Sequence, residues 1–228
     1  MAKQGKKYRE ALAKIDPKKV YTISEAVAAV KEAKYSKFDE TICVSFRLGL
    51  DPKQADQQIR GAMVLPNGTG KDKIVLAITQ NEAVAKEAGA DFVGGKELLA
   101  KIKNENWFGF DVIVATPDMM GELGKMGKIL GPKGLMPNPK TGTVSTDIAK
   151  AISEQKAGKV NYRLDREANM HVICGRTGFE DQKLAENIKA VCQQIIRVKP
   201  AACKGTYIKT CVLSSTMGPA VRMNPESE

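Results

Sequence analysis

Aromatic residues are scarce in this chain: only 5% of its 228 residues are Phe, Trp or Tyr, although 43% are hydrophobic. Histidine occurs once, as His171, so catalysis by histidine is nearly excluded. Because His171 falls in a predicted strand, we expect it to be a packing or edge residue. The hydrophobic content is sufficient for one large or two small folded domains.

The five cysteines are odd in number and form no C-x-x-C pair. This pattern argues against a zinc site and against a disulfide framework, and it predicts small buried thiols in a reducing compartment. No apolar run approaches the length of a membrane span, and no apolar core follows the N-terminal lysines. We therefore expect a cytoplasmic protein with no membrane partner and no bound metal.

Motifs that bind nucleotide phosphates are also missing. No window matches G-x-x-x-x-G-K-[ST], and no G-x-G-x-x-G joins a strand to a helix. Gly94-Gly95 is interpreted as a turn between a strand and a helix. The sequence thus disfavours a phosphate cradle and predicts no cofactor. A small nucleotide-binding α/β enzyme remains the alternative, but it would need a phosphate loop and a titrating group in a cleft.

The charge balance favours a polyanionic partner. The chain has 36 Lys and Arg against 26 Asp and Glu, a net charge of +10. Residues 1–20 contain seven basic and two acidic side chains, and residues 183–222 contain seven and one. We expect the two ends to share a partner, although charge alone leaves a merely basic soluble protein as the lesser alternative.

The segment Gly131–Val144 contains three prolines, three glycines and two lysines but no acid. This composition excludes a helix or a central strand and predicts an ordered basic surface loop. The loop is either a functional site or a plain crossover between strands. Four lysines without a nearby carboxylate are predicted either to meet phosphates with little sequence preference or to form a solvated surface. They are Lys125, Lys128, Lys133 and Lys140.

Local patterns predict several elements of the N-terminal part. Thr22-Ile-Ser-Glu25 is a capping box and predicts a helix over about 24–34. Alternation over residues 41–48 predicts a strand with Ile42, Val44, Phe46 and Leu48 in the core. The opposite face of that strand is predicted to be polar, small and basic.

In the middle of the chain, short apolar strands alternate with helices, which predicts βαβ units and a parallel sheet. Strands are predicted at 73–78, 91–93 and 112–115, and helices at 82–88, 96–103 and 146–156. Antiparallel signals return at 160–164, 170–174 and a last strand at 205–213, with an amphipathic helix over 180–197. The N-terminal piece has too few strands to bury its apolar faces, so it needs the C-terminal piece.

These signals favour a discontinuous α+β domain, residues 1–67 and 159–228. An inserted α/β domain, residues 68–158, is predicted to be a Rossmann-like, three-layer βαβ unit.

Four motifs carry a resemblance to a known family. The run Gly131–Val144 is joined by Lys6-Lys-Tyr-Arg9, Lys37-Phe-Asp-Glu-Thr41 and Ser215-Thr-Met-Gly-Pro219. In their order and spacing, from about Lys3 to Pro225, they resemble the bacterial form of the L-one family of large-subunit ribosomal proteins. The resemblance implies the discontinuous two-domain fold, with a two-strand hinge on which the domains open and close.

The resemblance also implies a function. It indicates a non-enzymatic rRNA-binding protein of the cytoplasmic ribosome that forms the mobile stalk and helps release deacylated tRNA from the exit site. A second implied role is translational repression through the mRNA of its own operon. The free protein is expected to be a monomer. A general nucleic-acid chaperone is a further alternative, and it would bind unstructured RNA as tightly as the folded stalk.

By resemblance, the rRNA is held by the segment Lys37–Thr41 and by the last strand and loop. The implied contact residues are Lys37, Phe38, Glu40, Thr41, Thr206, Thr210, Thr216, Met217 and Gly218. Their chemistry fits, because hydroxyls and backbone groups bond ribose 2′-OH groups, while exposed apolar side chains contact unstacked bases. We expect Gly218 to adopt a backbone conformation that brings the chain close to the RNA.

Other interpretations of these residues stay open. Phe38 alone is more typical of a core, and Thr206 and Thr210 are ordinary strand residues; only convergence with Thr216–Pro219 favours the site. Cys43 and Cys211 are expected on or near this surface. By analogy Lys53 and Arg60 are candidate tRNA contacts, and Lys133 and Lys140 are candidates for secondary RNA contact.

Overall fold

A computed structural model of the chain describes residues 5–79 and 82–226. The helices in these residues are α1 (Lys6–Ala13), α2 (Ile23–Glu32), α3 (Glu82–Glu87), α4 (Lys96–Glu105), α5 (Met120–Lys125), α6 (Gly127–Leu130), α7 (Ile148–Lys156) and α8 (Asp181–Arg197). The strands are β1 (Thr41–Leu48), β2 (Arg60–Val64), β3 (Val75–Ile78), β4 (Phe92–Gly94), β5 (Val112–Ala115), β6 (Lys159–Arg163), β7 (Asn169–Arg176), β8 (Ile208–Ser215) and β9 (Val221–Arg222). Contacts divide the chain into unit 1, Met1–Gly70 with Val160–Glu228, and unit 2, Lys71–Lys159.

Unit 1 is built on a four-stranded antiparallel sheet in the order β7-β1-β8-β9. Its central strand β1 buries the four predicted side chains, and the alternation confirms the sequence-based strand. A separate two-stranded sheet pairs β2 with β6. The predicted strands at 160–164 and 170–174 therefore pair mainly with different partners, and a Leu164–Met170 bridge joins them.

Two helices cover one face of this sheet. At the start of α2, the Thr22 side chain accepts a hydrogen bond from the Glu25 N–H and the Glu25 carboxylate accepts from the Thr22 N–H, so the predicted capping box is confirmed. The predicted apolar stripe of α8 is buried with the inner side chains of β1. On the opposite face, the described side chains of β1 are exposed or half-buried. Unit 1 is thus helices packed on one side of an open sheet.

The chain beyond α8 differs from the prediction in two respects. The predicted last strand is shifted to β8 at Ile208–Ser215, and a further short strand, β9, follows it. Through β9 the two ends of the chain meet, since the Tyr21 N–H donates to the Arg222 carbonyl oxygen at 3.0 Å.

Unit 2 contains a three-stranded parallel sheet in the order β4-β3-β5. One face packs against α3 and α7 and the other against α4, α5 and α6, which makes three layers. The predicted βαβ alternation with a parallel sheet is confirmed, with boundaries differing by one or two residues.

The predicted basic loop is only partly irregular. Helices α5 and α6 come directly before it and carry Lys125 and Lys128; they form because Met119, Leu123, Met126 and Leu130 recur at helical spacing and are buried. The prolines of Gly131–Val144 exclude an α-helix there, as predicted, but a single 3-10 turn forms at Pro139–Thr141.

Candidate nucleic-acid interface

The beginning of β1 and the end of β8 are joined by one side chain, that of Thr216. Its hydroxyl accepts a hydrogen bond from the Thr41 N–H at 3.1 Å and donates to the Thr41 carbonyl oxygen at 3.2 Å. The predicted segments Lys37–Thr41 and Thr216–Gly218 therefore meet at one end of the sheet. We call this group of residues the strand-end cluster.

Two apolar side chains of the strand-end cluster are exposed to solvent. Phe38 is 52% exposed and Met217 is 49% exposed. Phe38 is therefore not a core residue, which was the more typical interpretation of that side chain alone. The turn that carries Met217 is held by Tyr35, whose hydroxyl donates to the Met217 carbonyl oxygen at 2.7 Å. Apolar surface is thus presented on a backbone that is fixed locally.

Gly218 has a different role from the one expected. It is not among the residues with positive φ, so its backbone does not need the freedom of glycine. A Cβ at this position would instead lie 2.4 Å from the Ser215 Oγ. That oxygen also accepts the Gly218 N–H at 3.1 Å, so glycine permits a tight turn after β8.

Glu40, predicted as an rRNA contact, faces the interior. Its side chain is fully buried, and neither carboxylate oxygen has a hydrogen-bond partner among the described residues. The reason is the anchoring of the neighbouring residue: Asp39 accepts hydrogen bonds from the Thr177 hydroxyl at 2.8 Å and the Gly178 N–H at 2.9 Å. Those bonds, the Thr177 bond first, hold the pKa of Asp39 below its usual value. Asp39 thereby fixes the segment so that Phe38 points out and Glu40 points in.

Thr206 and Thr210 do not join the strand-end cluster. Both are exposed, but Thr210 pairs with Arg47 at the opposite end of β8 from Thr216. The two threonines are six positions apart, which corresponds to about 20 Å along a strand. Thr210 therefore does not converge with Thr216–Pro219 at one spot.

The open face of the sheet connects these two ends. Side chains of β1 form its central row, and their register partners on β7 and β8 lie on either side. The rows are Ile173, Cys43 and Ser214; then His171, Ser45 and Val212; then Asn169, Arg47 and Thr210. We call these nine residues the open face.

The β1 row of the open face is polar, small and basic as predicted. The partners on β7 and β8 add residues that the sequence analysis did not assign to a site, among them the exposed apolar Ile173. Arg47 is exposed, and His171 is exposed on the edge strand β7, where it was predicted as a packing or edge residue. The Ser45 Oγ and His171 Nδ1 atoms lie 2.8 Å apart in a hydrogen bond. The alternation of β1 already indicated Arg47, whereas the pairing with His171 depends on a distant strand.

The cysteines are free thiols. Cys43 is half-buried on the open face, and burial raises its pKa. Cys211 was expected on or near this surface but is buried in the core, and its pKa is raised through the neighbouring Cys192 and burial. Neither thiol is placed to offer an ionised contact.

The predicted basic contacts outside the sheet are also exposed. Lys53 and Arg60 lie on the surface of unit 1, and Lys133 and Lys140 on that of unit 2. The Lys133 ammonium lies 3.8 Å from the centre of the Phe108 ring, a cation–π contact. The expectation of four unopposed lysines is wrong for Lys125, which forms an ion pair with Glu122 at 3.2 Å.

The irregular segment of unit 2 is held by a dense hydrogen-bond network. The Asn138 carbonyl oxygen accepts from the Thr141 and Thr143 hydroxyls at 3.0 and 3.1 Å, and the Asn138 N–H donates to Thr143 Oγ1 at 2.8 Å. Lys140 is therefore presented on an ordered turn, which lowers the entropy cost of any contact it makes.

Across residues 5–79 and 82–226, no group of three or more His, Cys, Asp or Glu side chains is arranged to hold a metal ion. Nor does any helix in these ranges have the length and hydropathy required to cross a membrane.

Comparison with known proteins identifies the family. The Ribosomal protein L1p/L10e family matches residues 30–219. A relative, Large ribosomal subunit protein uL1 of Mycoplasma capricolum subsp. capricolum, is 56% identical over 224 residues, which are 98% of this chain and 99% of the relative. The match includes both segments of the strand-end cluster and the whole of unit 2. The chain therefore belongs to the ribosomal protein L1p/L10e family.

Proposed function

We propose that this protein binds rRNA of the large ribosomal subunit through the strand-end cluster and the open face. The observation that carries the proposal is the Thr41–Thr216 junction, which places the exposed Phe38 and Met217 beside the exposed end of an uncovered sheet. The family and the 56% identical large-subunit relative support the same partner. The protein acts in the cytoplasm as part of the ribosome.

The chemistry of this surface suits a folded RNA. Exposed threonine and serine hydroxyls bond ribose 2′-OH groups, and Phe38 offers a ring for an unstacked base. Arg47 supplies a planar guanidinium for phosphate or base edges. Neither carboxylate of the Lys37–Thr41 segment is free to repel the RNA backbone, since Glu40 is buried and Asp39 is hydrogen-bonded to Thr177 and Gly178.

Three finer roles belong to the proposal. The protein forms the mobile stalk and assists release of deacylated tRNA from the exit site, with Lys53 and Arg60 as exposed cations for that tRNA. It also represses translation by binding the mRNA of its own operon. It acts without catalysis and is a monomer when free.

We also propose that the chain is divided into two domains. Residues 1–67 and 159–228 form the discontinuous α+β rRNA-binding domain, and residues 68–158 form the inserted α/β domain. The separate sheets of units 1 and 2 support this arrangement.

Filter binding with a stalk rRNA fragment tests the central proposal. The protein is expected to prefer the folded fragment over an unstructured RNA of the same length at equal salt, because shape and 2′-OH groups are recognised. Arg47→Ala should weaken binding to the folded fragment. Equal affinity for both RNAs would instead support a general nucleic-acid chaperone and contradict the assignment.

A further inference from the structure

Unit 2 contains a crevice at the carboxyl ends of two of its parallel strands. The sheet order β4-β3-β5 means that the chain passes from β3 to one neighbour and then crosses to the other. The strand order therefore reverses between β3 and β5. In open α/β sheets, ligands bind outside the carboxyl ends of the strands at such a switch point.

The crevice has a volume of about 380 Å³, within the range of small-molecule sites. Thr79 and Thr116 directly follow β3 and β5, and the remaining lining residues come from α3 and the beginning of α7. The lining residues are Thr79, Val84, Thr116, Thr146, Asp147 and Ile148. They offer hydroxyls, a carboxylate and two apolar side chains, but no lysine or arginine.

Thr116 provides an independent indication of a ligand. Its Oγ1 atom is buried and has no hydrogen-bond partner among the described residues. Thr116 precedes the 3-10 turn Pro117–Met119 as its N-cap residue, yet its hydroxyl does not cap that turn. Buried hydroxyls nearly always have a partner, since an unpaired one destabilises the fold. Thr116 is thus a lining residue of the crevice whose hydroxyl has its hydrogen-bonding capacity unused among the described residues.

Asp147 determines the chemistry of the occupant. Its carboxylate is exposed, and one oxygen accepts the Lys150 N–H at 3.1 Å as the N-cap of α7. A carboxylate has further acceptor sites, which suit the vicinal hydroxyls of a ribose. None of the lining residues that the structure describes is a cation, which disfavours a phosphate, and the apolar surfaces of Val84 and Ile148 suit a base or the carbon side of a sugar.

We propose that this crevice binds a nucleoside through its ribose hydroxyls, with Thr116 and Asp147 as the main hydrogen-bonding residues. The site is separate from the proposed rRNA-binding surface and does not depend on that assignment. The occupant is uncharged, in contrast to the nucleotides of a phosphate-binding α/β enzyme.

Adenosine titrated into the full-length protein, followed by amide NMR, tests the proposal. Saturable shifts are expected at the backbone amides of Thr79, Thr116 and Asp147. The same experiment with 2′,3′-dideoxyadenosine, which lacks the diol, should give no saturable shifts. Thr116→Val should weaken adenosine binding about tenfold or more, because a hydrogen bond to the ribose is lost. Ser153→Ala, which removes an exposed hydroxyl of α7 outside the crevice lining, should leave binding unchanged.

Thermal melts separate ligand recognition from folding. Thr116→Val should melt at or above the temperature of the wild type, since it removes an unpaired hydroxyl; a decrease of several degrees would show a structural partner and overturn the proposal. Shifts that are absent at millimolar adenosine, or that map outside the crevice, also overturn it. Tighter binding of ATP than of adenosine does the same, because it indicates a phosphate site.

Discussion

The Thr216 hydroxyl is bonded to both the N–H and the carbonyl oxygen of Thr41, so a single side chain extends the pairing of β1 and β8 by one residue. Its role is therefore to shape the strand-end cluster as well as to present a hydroxyl. An RNA that recognises this end of the sheet recognises a geometry that Thr216 maintains.

Replacing Thr216 by valine is expected to affect both folding and binding. Thr216→Val leaves the Thr41 N–H without its partner and should lower the free energy of unfolding by about 1 kcal/mol. Affinity for stalk rRNA should fall by about 1–3 kcal/mol. Urea unfolding and filter binding measure the two effects. Thr216→Ser keeps the hydroxyl and should restore most of both; equal defects in the two variants would contradict this role.

Truncation of Phe38 is expected to affect binding alone. Phe38→Ala removes a ring that is 52% exposed, so the melting temperature should change little. A lost base–aromatic contact should weaken RNA binding by about 1–3 kcal/mol. Ile74→Ala, at a 43% exposed position in unit 2, is the matched control. A loss of affinity in the control as large as that of Phe38→Ala would refute a specific contact.

Gly218 and Ser215 are expected to be coupled. Gly218→Ala places a Cβ 2.4 Å from the Ser215 Oγ and should destabilise the protein by about 1–3 kcal/mol. In the double variant with Ser215→Ala the clash disappears, so the combined loss should be smaller than the sum of the single losses. A double-mutant cycle by urea unfolding measures this coupling, and strict additivity would argue against the contact.

The loss of stability at acid pH should depend on Asp39. Its pKa is lowered in the folded state, first by the hydrogen bond from Thr177. A depressed carboxyl pKa contributes stability that is present above the unfolded-state pKa, about 3.9, and is lost as the pH falls through the folded-state value. As the pH falls from 5 through the folded-state pKa of Asp39, the free energy of unfolding of Asp39→Asn should therefore decrease less than that of the wild type. Urea unfolding at several pH values measures this.

Thr177→Val supplies the control, because it removes the main cause of the shift while leaving the carboxylate. Its free energy of unfolding should change with acid pH more like that of Asp39→Asn than like that of the wild type. If the two variants and the wild type decline in parallel as the pH falls, Asp39 is not the group responsible.

Local patterns predicted much of the fold and less of the site. The capping box at Thr22 and the alternation of β1 depend on neighbouring residues, so they can be read from the chain. The buried position of Glu40 continues that alternation by one step, whereas the hydrogen bond that anchors Asp39 to Thr177 cannot be read from the chain, because the two residues are 138 positions apart. The contact of Thr216 with Thr41 likewise depends on the register of β8 against β1, which is set by packing across the whole unit.

His171 is the only histidine of the chain and is hydrogen-bonded to Ser45 in the middle of the open face. Its Hε1 proton is the single imidazole proton of that kind in the chain, so it needs no isotope labelling to be assigned. In D2O, once the backbone amides have exchanged, a one-dimensional proton spectrum of the natural protein can thus report when a ligand covers this surface.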